Sequence, residues 1–195
     1  MENLSSKIIN DQMGCNWQMN TVKISIPYSY FSKLANLGWH DVLFAIENGF
    51  LSHESAIEHA VIEIEQNGNC PHEVTELACL LRNEAHYHIV YPLLVELANQ
   101  TSDEVKKETK DKMLYVLLNW VFEHKESYED PLEVVTIIYD DFGFPDSMIK
   151  FIRYMPSDEP PLDTTEAYIE RIYSNWSDFL SAHKAKYVVP EQTRR

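Results

Sequence analysis

The chain has 195 residues, 45% hydrophobic and 12% aromatic, which is enough to build a sizeable core in one compact domain or two small lobes and leaves no room for general disorder. Thirty-one acidic residues against sixteen basic ones give a formal net charge of -15. No clustered Lys/Arg face is available to displace counterions, so nucleic acid and anionic membrane are excluded as expected partners and a basic protein is favoured, although such a charge also keeps a cytoplasmic protein soluble.

Residues 1–27 read as a polar N-terminal segment with a short extended piece at VKISI (22–26). The segment lacks the continuous apolar stretch of a secretory leader. Cys15, Cys70 and Cys79 are odd in number and lack CxxC spacing, which suits free thiols in a reducing cytoplasm. From 28 to 187 the pattern is that of a single helical domain. Tyr28, Phe31, Leu34 and Leu37 recur at helical spacing and stop at Gly38; Trp39, Leu43 and Ile46 form a second helix ending at Gly49. Leu51-Ser52 reads as a staple and cap for a third helix, with the stripe Ile57, Val61 and Ile64 and a stop at Gly68.

Pro71 opens a further helical stretch carrying Val74, Leu77, Leu81, Ile89, Leu93 and Leu97, in which Pro92 either starts a new helix or kinks the existing one. Thr101 and Glu104 form a capping box before MLYVLLNWVF (113–122). That run is apolar on nearly every face, as a central helix is, and about half as long as a membrane span. Asp130-Pro131-Leu132-Glu133 supplies an N-cap, a first-turn proline and a capping glutamate for a helix reaching about Asp141. SDEPPLD (157–163) is the linker, Asp163 and Glu166 open a C-terminal docking helix (164–186) lined by Tyr168, Ile172, Trp176 and Phe179, and 188–195 form a loose tail. The fold expected is all-α, a bundle of about seven helices with an irregular, repeat-like rhythm.

The stretch YDDFGFPD (139–146) contains Asp-Phe-Gly, but no glycine-rich loop, strand lysine or HRD element accompanies it, so a kinase is excluded. Gly143 is placed to take the left-handed position after the helix, with Phe144 folding back onto Tyr139. Asp140 and Asp141 then occupy the negative end of the helix dipole, where each is unfavourable by about 0.3 to 1 kcal/mol without a compensating cation. Arg153 is the nearest candidate, so a structural ion pair from Arg153 to Asp140 or Asp141 is expected; the alternative is a partner or metal site built on the same acids.

The pairs His59/Glu63, His72/Glu76 and Glu84/His88 each fall four apart, but none makes HExxH and no metal site is expected. No GxSxG elbow occurs, and Cys79 on an apolar face reads as a core residue. No cofactor and no catalytic residue is therefore assigned.

GWHDVLFAIENGFLSHESAIEHA (38–60), LYVLLNWVFEHKESYE (114–129) and DPLEVVTIIYDDFGFPDSMIKFIRYMP (130–156) resemble a bacterial family designated domain of unknown function 2247, from about Leu34 to the C-terminal helix. The order Asp-Pro, paired aspartates, aromatic-Pro and Arg-Tyr-Met-Pro carries most of that likeness. The resemblance implies a small helical bacterial protein and no stated activity. In size and acidity such proteins are similar to the immunity proteins of polymorphic toxin systems, which bind and block a cognate toxin domain. The expected function is thus non-enzymatic binding of a basic partner through a surface including Glu129, Asp130, Asp140, Asp141, Asp158 and Glu159. The alternative is an enzyme or metal-dependent regulator that joins the paired aspartates to histidines.

Overall fold

Every regular element is a helix in the computed structural model of the chain, which describes residues 19–99, 103–156 and 160–187, with the backbone alone at 103–107. Eight α-helices are formed among these residues: α1 (Tyr28–Leu34), α2 (Trp39–Glu47), α3 (Glu54–Asn67), α4 (His72–Cys79), α5 (Tyr87–Asn99), α6 (Asp103–Glu123), α7 (Pro131–Asp141) and α8 (Thr165–Tyr187). Short 3-10 turns at Arg82–Glu84, Lys125–Ser127 and Asp146–Phe151 join them.

Helix α6 is the hub, packing on α2, α7 and α8, while α3, α4 and α5 close a layer against α2. The reason is its composition. Met113, Tyr115, Val116, Leu118 and Val121 are all fully buried, on positions that circle the helix, so neighbours must cover several faces at once. Trp176 of α8 and Phe151 fill the space behind it, ring against ring at 11°. The extended 22–26 piece forms no strand; it buries Ile24 and Ile26, and the Ile26 N–H donates to the Phe50 carbonyl at 2.9 Å. Asn20 holds this piece in place, accepting from the Ile24 N–H (2.7 Å) and donating to the Ile24 and Gly49 carbonyls.

Three boundaries differ from the sequence reading. The chain breaks at Leu80 and Leu81, both extended, and Pro92 lies inside α5, where its missing N–H removes one hydrogen bond without ending the helix. Ser52 gives its carbonyl, not its hydroxyl, to the first turn of α3. Helix α8 is capped by the Thr164 hydroxyl, which accepts from the Ala167 N–H at 3.1 Å, so Asp163 is displaced from that role. Thr101 and the tail after Tyr187 lie outside the described residues, as do Cys15 and residues 157–159 of the linker. No described helix is long and apolar enough to cross a membrane.

Candidate functional site

Asp130 caps α7, its Oδ1 accepting from the N–H groups of Leu132 (3.1 Å) and Glu133 (3.2 Å). Proline at the next position fits because the first-turn N–H it lacks has no intrahelical partner. At the other end the Phe144 N–H donates to the Tyr139 carbonyl (2.9 Å) and the Gly143 N–H to that of Asp140 (3.0 Å), the paired bonds of a Schellman stop with Gly143 at φ +76°. Phe144 folds its ring edge-on to Tyr139 at 5.3 Å, as the sequence leads one to expect. What the sequence does not disclose is that Phe144 is itself left-handed, at φ +61°, and remains 59% exposed.

The expected Arg153 bridge to Asp140 or Asp141 is not formed. Arg153 turns to the other end of the same helix and grips Asp130 as a fork, Nη1 to Oδ2 at 2.6 Å and Nη2 to Oδ1 at 2.8 Å. Geometry decides this: the Tyr168 hydroxyl donates to the Arg153 carbonyl at 2.6 Å, anchoring FIRYMP where the guanidinium meets the helix start. The fork, followed by burial in the opposite sense and the cap N–H groups, leaves the Asp130 carboxyl below its ordinary range. Asp141 instead accepts from the Thr21 N–H (2.8 Å) and hydroxyl (2.7 Å), tying the N-terminal segment to α7. Asp140 is exposed and accepts only a long bond, 3.4 Å, from the Tyr154 hydroxyl.

The cation that answers the α7 dipole is Lys110. A Cβ placed on Gly143 would lie 3.9 Å from its Nζ, and the ammonium stands 6.0 Å from the Phe142 ring centroid. Around this helix end, Tyr154 (57% exposed) also meets Tyr139 edge-on, at 6.4 Å. Two exposed aromatics thus flank one buried ring, bordered by Asp140, Asp141 and the exposed Asp146. Glu129 is exposed beside the Asp130 cap, at the far end of α7, and Asp158 and Glu159 lie outside the described residues.

A second polar centre was only faintly marked in the sequence. Asp41, fully buried at the start of α2, accepts from the Gly38 N–H (2.9 Å), the Thr109 hydroxyl and the Lys112 ammonium; Lys112 also donates to the Asn36 carbonyl at 3.0 Å. His40 adds a 3.1 Å contact to the Thr109 hydroxyl. Beside it His59, 8% exposed, shares a 2.7 Å hydrogen bond with the Tyr28 hydroxyl and lies against Trp39 at 4.5 Å. Burial lowers the His59 pKa to about 4, opposed by Asp41, and raises that of Tyr28 above its ordinary value, so both groups are uncharged in the fold at neutral pH. Only Asp41 three residues after Gly38, and a lysine next to an apolar run, hinted at this centre.

Among the described residues no three His, Cys, Asp or Glu side chains gather as metal ligands. The paired aspartates meet threonine and tyrosine, not histidine. What fold and surface define is an all-helical protein carrying an exposed aromatic and acidic face on a capped, anchored helix. The chain belongs to the family of uncharacterised proteins conserved in bacteria designated domain of unknown function 2247, which it matches over residues 28–184. No curated protein and no solved structure matches it significantly.

Proposed function

We propose that the chain is a non-enzymatic bacterial binding protein that docks a basic protein through the face formed by Phe144, Tyr154, Asp140, Asp141 and Asp146, in the manner of an immunity protein neutralising a cognate toxin domain. The observation that carries this reading is Phe144. A bulky residue held left-handed is disfavoured by about 1 to 2 kcal/mol, and here that conformation keeps an aromatic ring in water. Exposed aromatics with a carboxylate border are the composition of an interface anchor for lysine and arginine, through ring faces and ion pairing together. The net charge of -15 supports fast, steered encounter with a cationic surface. Asp130 leaves the earlier set of candidates as a cap already neutralised by Arg153, while Asp140 is retained.

Such a protein acts in the cytoplasm, where toxin neutralisation is needed. The test is co-expression with the product of the neighbouring gene: a basic, growth-arresting domain is expected, rescued by the wild-type chain and not by the double variant Phe144→Ala/Tyr154→Ala. A neighbour whose toxicity is indifferent to both proteins contradicts the reading.

A further inference from the structure

The two exposed rings at the end of α7 stand differently toward acid. Tyr154 donates its hydroxyl to Asp140 Oδ1 at 3.4 Å, so one exposed ring and one exposed carboxylate lie end to end. That bond is long and occupies one oxygen only. Phe144 offers a ring without a polar atom; it rests against Tyr139 at 5.3 Å, the same ring that Tyr154 meets at 6.4 Å. Both contacts are edge to face, at 76° and 64°, so neither exposed ring is stacked away against Tyr139.

The charge beside these rings is unanswered. Among the described residues no basic side chain pairs with Asp140 or Asp146, because Arg153 is engaged by Asp130 and Lys112 by Asp41. Lys110 stands by Gly143, 6.0 Å from the Phe142 ring centroid, without an ion pair to either acid. The negative end of α7 adds to the pull on a cation from outside.

Shape then separates the two basic side chains. The ammonium of lysine is a compact, strongly hydrated point: over the Tyr154 ring it gives up water without reaching Asp140, and on Asp140 it stays clear of the ring face. A guanidinium is flat, weakly hydrated and forked, so its plane lies on the ring while its N–H groups extend past the phenol to the Asp140 carboxylate. We propose, on the reading that this face docks a basic protein, that its cationic contact is an arginine of the partner, stacked on Tyr154 and forked onto Asp140 beside Phe144.

Amide-shift NMR on the full chain tests the assignment, with the blocked tripeptides Gly-Arg-Gly, Gly-Lys-Gly and Gly-citrulline-Gly as probes; citrulline keeps the plane and loses the charge. The arginine peptide is expected to shift the amides of Asp140, Phe144 and Tyr154 and to bind about fivefold more tightly than either of the others. Asp140→Asn and Tyr154→Leu, both at exposed positions, are each expected to weaken it about threefold and to narrow its lead over the lysine peptide. Equal binding of the arginine and lysine peptides, an arginine lead unchanged in both variants, or no saturable shift at these amides overturns the proposal. The docking reading survives any of those results, since a partner can use the rings without arginine. An arginine lead that holds while the neighbouring gene's product is indifferent to this chain upholds the arginine site and removes the docking reading instead.

Discussion

Phe144 is where a local backbone rule is broken while the ring stays 59% exposed, and that makes it the sharpest residue-scale test. Glycine accepts φ +61° without strain, but it gives up the Tyr139 contact and adds freedom to the unfolded chain. These effects offset, so Phe144→Gly is expected to change unfolding stability by less than about 1 kcal/mol while markedly weakening partner binding. A large stability loss with binding intact places the ring in the core instead. His59 gives a second test at the same scale. It stays neutral in the fold down to about pH 4 under the influence of burial, with Tyr28, Trp39 and Asp41 around it. The unfolded chain takes up that proton below about pH 6.5, so the unfolded state binds more protons between those limits. Stability therefore falls as pH drops through that window, by up to about 3 kcal/mol. Urea midpoints are expected to decline less steeply over that range in His59→Gln; parallel slopes contradict the assignment.

Two of the ion pairs that join elements differ in kind. Lys112 to Asp41 fastens α6 to α2 in the interior, and Lys112→Met leaves a fully buried carboxylate without its cation. A loss of about 3 to 5 kcal/mol by chemical denaturation is expected; a loss below about 1 kcal/mol means that water reaches Asp41. Arg153 to Asp130 is a half-exposed fork, and Asp130 is also the α7 cap. Asp130→Ala is expected to lose about 1 to 2 kcal/mol and Asp130→Asn, which keeps a capping oxygen, under about 1 kcal/mol. Equal losses shift the weight from cap to ion pair. Local chemistry made the Asp130-Pro131 start and the stops at Gly49 and Gly143 legible, because each signal and its consequence lie within one helical turn. Arg153 was assigned to the wrong acids because nearness in sequence ranked the candidates, whereas the Tyr168 anchor decides direction in space. The break before α5 was missed for a similar reason: Pro92 is the loud signal, yet burial of Val90 and Leu94 holds the helix through it.

At the scale of the molecule, the all-helical fold was readable from punctuation and apolar spacing, and the central place of α6 from its unbroken run. The division of surface was not. Acids named from the sequence proved to have separate duties: Asp130 is a cap, Asp141 holds Thr21, and Asp140 stands in water beside Tyr154. The acidity is also broad, since residues 39–99 carry much of the surplus. A cationic partner is then steered by the whole field and anchored by two rings, two effects that salt separates. The most direct measurement is the association rate and affinity of the neighbouring gene's product across a salt series, for the wild type and for Phe144→Ala/Tyr154→Ala. The account expects the rate to fall steeply with salt in both proteins, with the double variant weaker at every concentration through faster dissociation. Binding indifferent to salt, or a double variant that dissociates like the wild type, would contradict it.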